Sequence, residues 1–285
     1  MKIKSLKKAQ VKIENISIGT DPELFMRSKE SGEYVPSFFL IKGDKYNPTP
    51  ISNKGHNISC DNVMFEYNIP PCKTAEEFVK ENLFVQEYLK NTVAEPNGLE
   101  LVIFPFADFT ENNLMDERAL LFGCDPDFNV WLGGKPNTVG VAGKTGRCSG
   151  GHIHVGYDNH NEKTNNLIVK ALDLFLSVPL VLMEPNNKRK EMYGKAGAYR
   201  VQPWGVEYRS TSNYILSSPE LMKWAFNQVL KAIDFIKDPK TVGDLDLIGK
   251  QIQSCINEKN EFLAQELINK YQLVLVEENK LVETI

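Results

Sequence analysis

Four short stretches each place two polar side chains two residues apart inside apolar surroundings: Asp21-Pro22-Glu23, Glu66-Tyr67-Asn68, His152-Ile153-His154 and Glu207-Tyr208-Arg209. Side chains at i and i+2 of a strand share a face. Each stretch therefore reads as a strand with one polar face, and Leu24, Phe25, Phe65, Ile153, Val155 and Val206 turn to a core. Pro22 biases Asp21 toward the extended backbone this needs. One such pair is ordinary for a half-buried strand. Four, drawn only from Asp, Glu, Asn, His and Arg, point to strands converging on one sheet face. Carboxylates packed that way repel and raise each other's pKa, so divalent cations are the natural compensation.

Ligand type narrows the cation. A carboxylate-rich oxygen site suits Mg²⁺ or Mn²⁺, whereas zinc sites draw on His and Cys, and this chain has four histidines. Mg²⁺ held by few carboxylates usually has phosphates completing its shell. Arg209 adds a fork suited to phosphate or carboxylate. The chemistry points to nucleotide phosphoryl transfer. A P-loop is excluded, because the glycine that Gly143-Lys144-Thr145 would require at position 138 is Thr138. Lys135, Lys144 and Arg147 are loop cations, within reach of phosphates or simply solvated.

Between these stretches the chain alternates irregularly. Strands are expected at Val11–Ile18, Glu23–Arg27, Asn62–Ile69, Glu100–Phe106, Gly150–Tyr157 and Trp204–Thr211, with a last one at Gln272–Val276. Helices are expected from the Thr74 cap (with Glu77 three residues on) to Thr92, at Thr164–Met183, from the Ser218 cap to Ile236, and at Asp244–Tyr271. Residues 107–149 lack periodicity, and a loop of that length is usually functional or mobile. Residues 184–200 read as a basic loop. Without regular βαβ alternation the class is α+β rather than doubly wound. The 285 residues are read as one domain, with the motifs within 16–213 and a helical part at 214–285.

Composition sets the boundaries of function. A net charge of −4 disfavours nucleic acid and anionic membrane as partners. The five cysteines are scattered, with no C-x-x-C pair, which argues for a reducing cytoplasm and against a disulfide framework or zinc knuckle. The basic stretch Met1–Gln10 lacks the apolar run of a secretory signal. Ala171–Met183 carries Asp173 and Pro179 and is too short to span a bilayer. Trp131, Trp204 and Trp224 read as core, His56 and His160 as solvated loop residues.

In their order, these segments resemble the glutamine-synthetase-like carboxylate–amine ligases, in particular the small bacterial and phage amidoligases of the COOH–NH2 ligase type 2 group. Residues 18–26 (IGTDPELFM) resemble the opening G-x-E-x-E strand, and Phe65–Asn68 the second acidic strand. Ser149–Val155 resembles the S-G-x-H-x-H strand, and Val206–Asn213 the late E-x-R strand. Arg189–Arg200, with Tyr193-Gly194-Lys195-Ala196-Gly197, resembles the basic loop before E-x-R.

The resemblance implies a curved, mainly antiparallel sheet with helices on its outer face, and an ATP-dependent ligase joining a small-molecule or peptide carboxylate to an amine. It implies one metal on Glu23 and Glu66 and another on Asp21, His152 and Glu207. Asn68, His154 and Asp61 are secondary candidates. Arg209 and Arg200 would neutralise the transferred phosphoryl group, with Lys195, Arg189 and Lys144 as further phosphate contacts. Asp21 departs from the family pattern, standing where a glutamate is usual. A carboxylate is a poor electrophile, so activation as an acyl phosphate is expected, shielded from water by a segment such as 123–147. The alternatives are a metal-dependent hydrolase using His152 and His154, and a phosphotransferase on a related sheet.

Overall fold

The computed structural model describes residues 11–119, 127–137, 144–185 and 188–276. Among the described residues it is an α+β arrangement of two larger antiparallel sheets, and a two-stranded one of Phe106–Asp108 and Gly146–Cys148, backed by helices. The first sheet runs in the order Ser17–Thr20, Ile153–Gly156, Gly205–Tyr208, Ala198–Gln202, Phe128–Asn129 and Lys135–Pro136. In the second, Glu23–Ser28 pairs with Met64–Asn68, which pairs with Asn57–Asp61, while Leu99–Val102 lies along the other edge of Glu23–Ser28. The chain crosses from one sheet to the other at Asp21-Pro22. The single sheet expected from sequence is thus divided at its first polar pair.

Alternation along the strands does what the sequence requires of it. Ile153, Val155, Val206 and Tyr208 are fully buried and join one core with Ile168, Leu172, Val229 and Ile233 of the helices. Helix Ala75–Leu89 opens with the Thr74–Glu77 capping box, and Pro219–Lys237 with the Ser218 cap and Pro219 in its first turn. The stretch Glu162–Met183 is long and apolar enough to cross a membrane, yet 72% of its apolar window is buried inside the protein. It is the central core helix, broken at Asp173–Ser177 by a wider π-helical turn.

Several sequence expectations need correction. Residues 11–16 form no strand; pairing begins at Ser17, where Gly156 offers a partner. Asn57–Asp61, to which no element is assigned from sequence, is a strand that forms a hairpin with Met64–Asn68. Within the basic stretch 184–200, Lys188–Met192 is helical and Ala198–Gln202 is a strand. Helix Asp244–Tyr271 is two helices, Pro239–Asn257 and Glu261–Tyr271, because Lys259 turns left-handed and Asn260 caps the second. Gln272–Val276 is not a strand. Residues 127–137 of the proposed shielding segment are tied into the first sheet, while 120–126 and 138–143, with Cys124, lie outside the described residues.

Candidate active site

All four polar pairs meet in one cavity of about 250 Å³ between the two sheets. Asp21, Glu23, Glu66 and Asn68 line it from the corner and the second sheet, joined by Asp61 and Lys45. His152, His154, Glu207 and Arg209 line it from the first sheet, with Arg200, Gln202 and Trp204 on the neighbouring hairpin. Register explains the convergence. Glu23 lies opposite Glu66, while Glu207 lies opposite both His154 and Arg200. One face of three adjacent strands and the edge of another sheet therefore present their polar residues to the same space.

The glycines before His152 have a steric reason. A Cβ on Gly150 would lie 2.4 Å from His152 Nε2, so the imidazole folds back over bare backbone. Its Nδ1 then stands 3.1 Å from Asp21 Oδ1, 3.3 Å from Arg209 Nη1 and 3.6 Å from Glu207 Oε1. His154 presents Nε2 instead, 3.1 Å from Asp21 Oδ1. That nitrogen is buried and, at this angle, makes no hydrogen bond. The His154 ring rests on Trp204, with centroids 5.0 Å apart.

Charge divides the cavity into two halves. Burial lifts Glu66 well above the usual carboxylate range, and Asp21, Asp61 and Glu23 push it further. Glu23 is raised, chiefly by burial, although the Gly150 N–H donates to it. Asp61 is raised for the same main reason. Asp21 and Glu207 move the other way. For Asp21, burial is outweighed by His154 and His152. For Glu207, burial and Asp21 are outweighed by Arg209 and the two imidazoles. The Asp21–Glu207 half is thus balanced by cationic partners, and the Glu23–Glu66–Asp61 half holds acid in excess.

The donor set fits a hard divalent cation. Asp21, His154 and Glu207 each offer a ligand atom, all within 4.8 Å of one another. The unbonded Nε2 of His154 faces that group, so the structure brings His154, read as secondary, beside the primary candidates. Glu23 and Glu66 supply a second set of oxygens in the acid-rich half.

Arg209 is buried and pairs with Glu207 and Asp127. Asp127 was missed in the sequence because it lies in the aperiodic 107–149 stretch. Arg200 needs correction as a mobile-loop residue: it sits in a strand, 3.7 Å from Glu207 Oε2. Gln202, which donates to Glu207 Oε2 at 2.7 Å, follows it by the same i, i+2 spacing and was legible once that strand was drawn. Trp204 lines the cavity and is 38% exposed, rather than core.

Three expected phosphate contacts are not brought to the cavity wall: Lys144, Lys195 and Arg189. Lys144 is exposed, and Lys195 accepts a bond from Ser210 Oγ through its carbonyl. Arg189 is buried against backbone carbonyls behind the site. Arg147 likewise turns inward, donating to Ala119 O and Asn62 Oδ1.

Comparison with known proteins adds one family. Residues 137–240 match the family described as "Phage phiEco32-like COOH.NH2 ligase-type 2", a stretch holding the His152–His154 and Glu207–Arg209 strands and the basic segment between them. The resemblance drawn from the motifs is matched over those residues. No curated protein matches the chain. Among solved structures, a bifunctional glutathione synthetase from Pasteurella multocida is similar with a TM-score of 0.39 and 12% identity, covering 90% of this chain and 49% of that one. The chain thus spans about half the length of that enzyme.

Proposed function

We propose that the chain is a cytoplasmic, ATP- and Mg²⁺- or Mn²⁺-dependent carboxylate–amine ligase with a glutamine-synthetase-like catalytic fold. One observation carries the reading: five carboxylates, two imidazoles and two arginines line a single cavity, and five of these nine lie in the stretch that matches a COOH·NH2 ligase family. The substrates would be a small-molecule or peptide carboxylate and an amine.

Glu23 and Glu66, with Asp61 and Asn68 beside them, would hold one cation; Asp21, Glu207 and the imidazoles of His152 and His154 would hold another. When bound, such cations offset charge on phosphate oxygens. Arg209, preorganised by Asp127, and Arg200 would donate to the phosphoryl group in flight. In this reading a carboxylate oxygen forms a bond to the γ-phosphorus of ATP as the bond to ADP breaks. The amine nitrogen then adds to the acyl carbon, phosphate leaves with the bonding pair, and the amine proton passes to a base.

The test is ADP and phosphate release with Mg²⁺-ATP, screened against panels of acids and amines. The expected result is ADP formed in step with an amide. Cleavage of an amide by water without ATP would instead make the chain a hydrolase, and a stable phosphorylated acid without amide would make it a phosphotransferase.

A further inference from the structure

What fixes Arg209 lies behind its strand, away from the cavity. Arg189 is 1% exposed, and its Nη1 donates to Ser210 O at 2.9 Å while Nη2 donates to Arg209 O at 3.2 Å. Lys190, also buried, donates from Nζ to Ser210 O and to Gly194 O, each at 2.6 Å. The guanidinium has room only because position 194 is glycine: at φ +65°, a Cβ there would lie 1.8 Å from Arg189 Nη1. From the core helix, Asp173 accepts from Tyr208 Oη at 2.7 Å and from Ser210 Oγ at 3.4 Å. Residues 208, 209 and 210 are therefore each gripped from outside their own sheet.

This arrangement is expensive for its structural yield. Arg189 and the Lys190 amine are taken out of water, with buried Glu184 and Asp173 offsetting part of the charge, where ordinary backbone pairing would satisfy two carbonyls without any ion. Charge-assisted donors do supply a stronger and more directional tether than neutral ones. Its point of attachment is the peptide of the arginine that faces the cavity.

We propose that Arg189, seconded by Lys190, is a positioning clamp that sets the Arg209 guanidinium by holding the carbonyls of Arg209 and Ser210. Arg189 thus acts through Arg209 and not on substrate phosphate, the role the family resemblance implied for it. The catalytic consequence rests on the role proposed above for Arg209; the mechanical one does not.

The experiment has two arms on the full chain. In hydrogen–deuterium exchange of the free protein, Arg189→Met should speed exchange of the Tyr208–Ser212 amides on the order of tenfold, the opening expected from losing a hydrogen bond to a charged donor. Helix Pro219–Lys237 should exchange as before, and Arg189→Lys should restore part of the protection. Gly194→Ala, which crowds the guanidinium, should reproduce the effect if Arg189→Met does not fold. Unchanged exchange at 208–212, or an equal rise throughout helix 219–237, overturns the clamp. In the second arm, turnover is measured in a double-mutant cycle with Arg209→Lys. Acting through Arg209, Arg189→Lys should lower kcat at nearly constant KM in the wild type and add little in the Arg209→Lys background. Fully additive losses overturn the coupling. A wild type without ATP-dependent turnover defeats the ligase reading and leaves exchange to decide the clamp.

Discussion

Replacing Lys190 by Met should change how stability depends on pH, with a sign and size fixed by the amine's surroundings. Burial holds the Lys190 ammonium down to about 7 from an ordinary 10.5, and neighbouring Arg189 adds to the depression. Below pH 7 the amine is protonated in both the folded and unfolded chain, and the folded state bears the cost of a buried charge. Between 7 and 10.5 the unfolded chain binds the extra proton, so raising the pH favours folding. At about 1.4 kcal/mol per pH unit, the wild type should gain about 4 kcal/mol on Lys190→Met between pH 7 and pH 10. Methionine also leaves Ser210 O and Gly194 O without this donor, a loss of roughly 1–3 kcal/mol that does not vary with pH. Guanidinium unfolding of both proteins at pH 7, 8, 9 and 10, followed by tryptophan fluorescence, gives the difference directly, and other alkaline titrations cancel in it. A difference that stays flat across that range would show that Lys190 is not a buried titrating amine and refute the reasoning.

Glu66→Gln should raise the melting temperature of the metal-free protein at pH 8: burial and three neighbouring carboxylates raise Glu66, so the wild type loses stability as pH climbs through that carboxyl. The same variant, like Glu23→Gln and Glu207→Gln, should abolish ATP-dependent turnover; normal turnover in all three would mean the site is wrongly assigned. His154→Ala should weaken Mn²⁺ binding, measured by calorimetry, at least as much as His152→Ala, because Nε2 of His154 is the unbonded atom beside Asp21 and Glu207; no change from His154→Ala removes it from the ligand set. Arg209→Lys should cut kcat on the order of a hundredfold with the KM for ATP nearly kept, since lysine keeps the charge but not the fork. A rise in that KM alone, at unchanged kcat, would make Arg209 a ground-state binder.

The site was legible in the sequence to the extent that strand periodicity exposes it. Asp21, Glu23, Glu66, His152, Glu207 and Arg209 announce themselves by i, i+2 spacing in apolar runs, and the structure brings all of them to one cavity. Asp127 carries no such mark, because it precedes a two-residue strand, Phe128–Asn129, which pairs with the equally short Lys135–Pro136 and, far along the chain, with Ala198–Tyr199. Gln202 was hidden, and Arg200, though named, was placed in a loop, by the glycines and cations before them, which resemble loop composition although Ala198–Gln202 completes a hairpin. Arg189 was misplaced for a related reason. A cation in a polar stretch reads as solvated, and only the tertiary fold shows carbonyls of residues 209 and 210 waiting to accept from it. Helix starts were read well, since Thr74, Ser218 and their partners act locally. The break at 258–260 was not, because Asn260 was taken as helix interior and not as a cap.

The register of the first sheet also has a kinetic consequence. Ser17 pairs with Gly156, and Ile153 pairs with Tyr208, so bringing His152 and His154 beside Asp21 and Glu207 closes two long loops of chain. Helices such as Pro219–Lys237 and Pro239–Asn257 need only local contacts and nucleate early. Long-range ladders form slowly because loop-closure entropy is lost before the pairing is gained. The two sides of the cavity should thus meet late in folding, in a step that brings mutually repelling carboxylates together. Refolding should therefore end in a slow phase that accelerates with added Mn²⁺, while the earlier helical phase ignores the ion.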